Sequence, residues 1–264
     1  MAVAVLPALL CVGLVLSRAQ AAPASTANLT SRAQSAVPVG VIINHCTVPG
    51  VVALTFDDGP FVYTSRVLDH LDQYGARATF FVNGENWSRG IADPSTPWPE
   101  ILRRIDRSGH QIGSHTWSHA DLSAASPQAR QYQVHQLDTA LRVVLGKSPT
   151  YLRPPYASCS SECLSDLERM GYHVVNFDVD PKDYLHNRPD DIASAMENFS
   201  RALDGGGWGN SFLVLSHDSL RQTAEALVPH MLEEIQHRGY RAVTVGECLG
   251  DPPRIGTGGV KRSP

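Results

Sequence analysis

The sequence predicts an α/β protein built from parallel βα units, and three observations predict it. Short apolar runs of strand length recur seven times across roughly 200 residues. Amphipathic stretches with helical start and stop signals lie between them. Several of the runs end in clusters of Asp, His, Arg and Tyr, which is where parallel α/β folds gather their chemistry. Strands separated by helices pair in parallel, either closed as a barrel or wound as an open sheet.

The runs, in order, are VVALTF (51–56), ATFFVN (78–83), QIGSH (111–115), TYLRP (150–154), HVVNFD (173–178), FLVLSH (212–217) and YRAVTV (240–245). Each is rich in Val, Phe, Tyr or Thr, the residues that suit a pleated surface. After the first run, TSRVLDHLDQYG predicts a helix that stops on Gly75, where a left-handed cap is easily adopted. SPQARQYQVHQLDTALRVVLG predicts a longer one, with Ser126 as N-cap, Pro127 in the first turn and Gly146 as the stop. No G-x-G-x-x-G or Walker loop follows any strand, which disfavours nucleotide-binding folds. No internal repeat is present.

The flanks read differently. Residues 1–21 carry an apolar run from Ala2 to Leu16, then Ala19-Gln20-Ala21 as a small-x-small site, and predict a secretory signal peptide. The run is broken by Pro7 and falls short of the roughly 20 residues that span a bilayer. Residues 22–41, rich in Ala, Ser, Thr and Pro, predict a flexible leader; 42–250 form the domain, and 251–264 a disordered tail. Three sequons, at Asn28, Asn86 and Asn198, are candidate N-glycosylation sites and fit a secreted chain.

Composition supports one globular domain: 264 residues, 42% hydrophobic and 18% charged. The formal net charge of -4 leaves no basic excess for neutralising phosphates, so nucleic acid is excluded as a partner. Cleavage after Ala21 would remove Cys11 and leave Cys46, Cys159, Cys163 and Cys248, an even number suited to an oxidising compartment. Three pairings are open to four cysteines. Cys159 and Cys163 are close enough to join locally, which leaves Cys46 with Cys248.

Chemistry collects at the strand ends. TFDDGP places Asp57 and Asp58 after a buried-looking run, where two acids need a counter-charge or a metal. HTWSH supplies His115 and His119, and with Asp58 they make the three-ligand set of a catalytic zinc site that keeps a position open. The motif lacks the Glu of H-E-x-x-H proteases, so the base must come from elsewhere, and Asp57 is the natural candidate. RPPY, DVDPKDY and LVLSH bring Arg153, Tyr156, Asp180, Tyr184, Leu215 and His217 toward the same face. Trp98 and Trp117 are candidate stacking platforms for sugar rings.

TFDDGP, HTWSH, RPPY, DPKDY and LVLSH, in this order from Thr55 to His217, resemble the five motifs of the polysaccharide deacetylase (NodB-homology) domain, carbohydrate esterase family 4. The βα pattern extends the likeness to about Leu249, and the short loop YASCSSEC with Cys46 and Cys248 is most similar to secreted fungal chitin deacetylases. The resemblance implies a distorted (β/α) barrel of seven to eight strands that binds one divalent ion, usually Zn²⁺, with Co²⁺ as the alternative. It implies Asp58, His115 and His119 as ligands, Asp57 as general base held by Arg153, and His217 as general acid supported by Asp180. The backbone N–H of Tyr156 would help stabilise the oxyanion, and Leu215 and Tyr184, with Trp117 at the cleft edge, would line the substrate pocket. The family often has Trp where Tyr184 stands.

The implied activity is metal-dependent removal of N-acetyl groups from chitin or chitooligosaccharides by a secreted monomer, extracellular or in the cell wall. Membrane attachment is not expected once the signal is removed. Three other readings compete: an acetylxylan O-acetyl esterase, a peptidoglycan N-deacetylase, and a catalytically weak protein that masks chitin by binding it.

Overall fold

Residues 1–4, 37–85 and 90–251 are described by a computed structural model. The signal and leader lie mostly outside these residues; Asn28, Asn86 and the tail beyond Asp251 lie wholly outside them. Among the described residues are eight strands: β1 (Ile42–Ile43), β2 (Val51–Asp57), β3 (Thr79–Val82), β4 (Gln111–Ser114), β5 (Tyr151–Leu152), β6 (His173–Val175), β7 (Phe212–Val214) and β8 (Arg241–Val243). The helices are α1 (Thr64–Tyr74), α2 (Trp98–Arg107), α3 (Pro127–Leu145), α4 (Ser161–Arg169), α5 (Ile192–Asp204), α6 (Val228–His237) and α7 (Val245–Cys248).

β2 organises the sheet. Its seven residues are all buried, and only Thr55 and Asp57 are polar. Val51–Leu54 pair with β7 and β8, while Thr55–Asp57 pair with β3. The order is β1-β6-β5-β4-β3-β2-β7 with β8 also on β2, and every pairing is parallel. The open ends approach through one isolated parallel bridge, Val179 to Val214, where Leu215 N–H donates to Val179 O at 2.9 Å. The α/β class and the seven anticipated strands are present, arranged as a distorted barrel spanned by a short bridge. β1 was not anticipated, since two residues leave no periodicity to read.

The helix signals act as the sequence implies. Gly75 closes α1 with a φ of 60°, and Gly146 closes α3 with a φ of 72°. Ser126 caps α3 by accepting from Ala129 N–H. The core beneath α1, α2, α5 and α6 is aliphatic and aromatic, with Phe56 and Phe80 ring centroids 5.2 Å apart. Burying each such side chain contributes about 1.5–3 kcal/mol.

The domain edges differ from the sequence boundaries. Val37 is buried and Gly40 N–H donates to Tyr172 O at 3.0 Å, so residues 37–41 pack on the domain. Asp251, expected to begin the tail, is buried and accepts the Tyr151 hydroxyl at 2.7 Å. Two disulfides are formed, Cys46–Cys248 and Cys159–Cys163, with Cα separations of 5.0 and 5.3 Å. No described helix is long and apolar enough to cross a membrane.

Candidate metal centre and catalytic cleft

Parallel pairing brings the C-terminal ends of the strands to one face. β2 delivers Asp57 and turns at once: Asp58 has a φ of 75°, a left-handed conformation that a short polar side chain tolerates. β4 leads into His115 and His119, and β5 into Arg153. The segments after β6 and β7 supply Asp183 and His217.

Asp58, His115 and His119 come together with one ligand atom of each within 4.8 Å of the others. Asp58 Oδ1 lies 3.3 Å from His119 Nε2 and 3.7 Å from His115 Nε2. His115 Nδ1 sits 2.7 Å from the carbonyl of Arg153. A carbonyl only accepts, so Nδ1 carries the proton and the Nε2 lone pair faces the carboxylate. Burial and neighbouring His115 hold His119 below its ordinary pKa, against the pull of Asp58 and Asp57. Asp58 Oδ1 is buried without a hydrogen-bond partner. The Asp58 oxygen and the His115 lone pair thus confront one another beside His119 in a partly buried space, an arrangement that fits a cation.

Beside this cluster, Asp57 Oδ1 accepts from Arg153 Nη1 at 2.9 Å, and its other oxygen is 3.8 Å from His115 Nε2. Arg153 is 1% exposed. Its remaining donors reach Thr55 Oγ1 (2.5 Å), Asn176 O (2.7 Å) and Val175 O (3.4 Å), and its guanidinium lies 4.4 Å from the Phe81 ring centroid. A charge so enclosed is fixed in place and holds the Asp57 carboxylate in one orientation.

His217 is held on two sides by one carboxylate. Its backbone N–H and its Nδ1 donate to the two oxygens of Asp183, each at 2.8 Å, and Thr223 Oγ1 donates to the same group at 2.8 Å. Burial pulls the His217 pKa down, but the hydrogen bond and charge of Asp183, with Asp57 and Asp58 nearby, prevail and raise it to about 9.

The carboxylate that holds His217 is therefore Asp183. Asp180, expected in that role, accepts instead from Lys182 N–H (2.8 Å) and the Tyr184 hydroxyl (3.1 Å). It lies before the turn that delivers Asp183 beneath His217, so its carboxylate serves its own loop.

The other expected residues sit around this centre. Tyr156 has a φ of 59°, and its ring centroid is 4.7 Å from that of His119. Tyr184, half exposed, stands edge-on to His217 with centroids 5.6 Å apart. Leu215 is buried just past β7, two residues before His217. Trp117 lies flat on Gly84 and packs on the core, its Nε1 donating to Glu85 at 3.2 Å. Trp98 is buried at the start of α2, stacked on Phe61, and cannot serve as a sugar platform. Asn198 lies on α5, where its Nδ2, the atom a glycan would occupy, donates to Pro181 O at 3.1 Å.

Sequence reasoning missed Asn83 as well as Asp183. Asn83 N–H donates to Gly59 O, and Nδ2 donates to His115 O and Thr116 O, tying the aspartate turn to the histidine segment. Its only signal was its place as the polar end of ATFFVN.

Comparison with known proteins adds an independent line. Residues 44–175 match the family described as polysaccharide deacetylase. The chain is 44% identical over 235 residues to a chitin deacetylase of Colletotrichum lindemuthianum, covering 89% of this chain and 94% of that protein. It is 49% identical over 230 residues to a chitin deacetylase of a Pestalotiopsis species, covering 87% and 74% respectively. The solved structure of the chitin deacetylase from the fungal pathogen C. lindemuthianum superposes with a TM-score of 0.79, at 45% identity over 83% of this chain and 95% of that one.

Proposed function

This chain belongs to the polysaccharide deacetylase family, and from that premise we propose that it is a chitin deacetylase, hydrolysing N-acetyl groups of chitin or chitooligosaccharides to acetate and free amines. The observation that carries the reading is the group of Asp58, His115 and His119 flanked by Asp57, paired with Arg153, and by the His217 imidazole with its raised pKa.

Asp58, His115 and His119 would hold the cation, and two imidazoles with one carboxylate suit Zn²⁺, with Co²⁺ as the alternative. When bound, such an ion polarises an amide carbonyl and lowers the pKa of water toward 7. Asp57 takes a proton from the attacking water, and Arg153 holds its carboxylate in place. His217 gives a proton to the departing nitrogen, which leaves only as an amine. Asp183 fixes the His217 ring through Nδ1, so Nε2 is the donor that remains. The Tyr156 N–H contributes to oxyanion stabilisation. Leu215 and Tyr184 flank the acetyl group, and Trp117 braces the rim of the cleft.

The signal-like segment at residues 1–21, the four disulfide-bonded cysteines and the sequons at Asn28 and Asn86 support a secreted, extracellular or wall-associated monomer. Acetate release from chitotetraose, lost on chelation and restored by Zn²⁺, is the expected result. Greater turnover on acetylated xylan would favour the O-acetyl esterase, and tight chitin binding without acetate release would favour the masking protein.

A further inference from the structure

Asp218 follows His217 but has no part in the chemistry above. Its side chain is fully buried, and one carboxylate oxygen, Oδ1, has no hydrogen-bond partner. Burying a carboxyl group this way costs stability, and an apolar side chain of similar shape would pack without that cost. Its other oxygen accepts from Thr64 Oγ1 at 2.5 Å. Thr64, also fully buried, accepts in turn from Phe61 N–H at 2.8 Å.

The carboxyl group also fills the space beside Gly59 into which any side chain there would project. The turn 58–61 is thus held at three points. Asn83 N–H donates to Gly59 O at 3.0 Å, the Asp218 carboxyl packs on the Gly59 backbone, and Thr64 links Phe61 N–H to Asp218. The residue this turn must fix is Asp58, whose left-handed backbone is strained unless its surroundings impose it.

We propose that Asp218, acting through Thr64 and by contact with Gly59, is a positioning residue that sets the Asp58 carboxylate against His115 and His119 for metal binding. The inference rests on the proposed metal centre and adds a part to it that touches neither ion nor substrate.

The test is Zn²⁺ affinity, measured by competition with a chromophoric chelator on the full chain, with circular dichroism and Tm recorded on the metal-free protein. Asp218→Ala and Thr64→Val are each expected to weaken Zn²⁺ binding about 10- to 100-fold, the range typical of outer residues that orient ligands. Asp218→Asn keeps an acceptor for Thr64 and is expected to restore most of the affinity. The double variant Asp218→Ala/Thr64→Val is expected to lose less affinity than the product of the two single losses, because the two residues share the Thr64–Asp218 hydrogen bond.

Thr64→Val preserves volume and carries the test if Asp218→Ala fails to fold. Wild-type Zn²⁺ affinity in folded Thr64→Val, or a lowered Tm with affinity intact, overturns the positioning role while leaving the metal centre standing. A wild-type chain that binds no Zn²⁺ overturns both.

Discussion

Asp57 and Asp58 are adjacent in the chain and divided in task by their partners. Asp57 is claimed by Arg153, while Asp58 Oδ1 is left facing two imidazole nitrogens. Asp57→Asn should therefore lower kcat by about 10²- to 10⁴-fold, the worth of a positioned general base, with Zn²⁺ still bound by elemental analysis. His217 gives a pH prediction. Its pKa is raised to about 9, so the acid form is present below that value and activity falls as pH rises through it. Asp183→Asn removes the carboxylate that raises it, so the alkaline limb of kcat/KM should move to lower pH, whereas Asp180→Asn should leave the limb in place. The proposed ligands and base were legible because their motifs sit at strand ends. Asp183 was not, because DVDPKDY offers three acids within seven residues after a strand that stops at Val175, and no periodicity tells which one turns under the histidine.

The helices were readable at the level of elements because their ends carry local chemistry. Ser126→Ala should remove the Ala129 N–H partner and cost about 1 kcal/mol, read as a lower midpoint in denaturant. Strands were readable as apolar runs but not in length. TYLRP and HVVNFD become strands of two and three residues, since pairing is a tertiary event that local composition does not bound. Gly84 shows the opposite case, a position with no sequence signal. A side chain there would strike the Trp117 ring, so Gly84→Ala should displace the segment bearing His115 and His119 and weaken Zn²⁺ binding without abolishing the fold.

At the scale of the molecule, composition and alternation revealed a parallel α/β domain but left barrel and open sheet undecided. That choice rests on a single bridge between Val179 and Val214, too small to leave a mark in the sequence. The long disulfide is a molecular feature as well. Cys46 and Cys248 are 202 residues apart, so the bond removes unfolded-chain entropy worth about 5 kcal/mol, against about 2 kcal/mol for the four-residue Cys159–Cys163 loop. Cys46→Ala/Cys248→Ala should accordingly lower Tm far more than Cys159→Ala/Cys163→Ala under non-reducing conditions.

That bond also has a direction. α7, which carries Cys248, is anchored where β3 and β4 begin: Val245 N–H donates to Thr79 Oγ1 and Gly246 N–H to Gln111 Oε1. The pinned extremities of the domain therefore lie at the base of the strands, away from the groups that do the hydrolysis. A linker or solid support joined near Cys46 or Leu249 would leave the working mouth facing outward, free to meet an insoluble fibre.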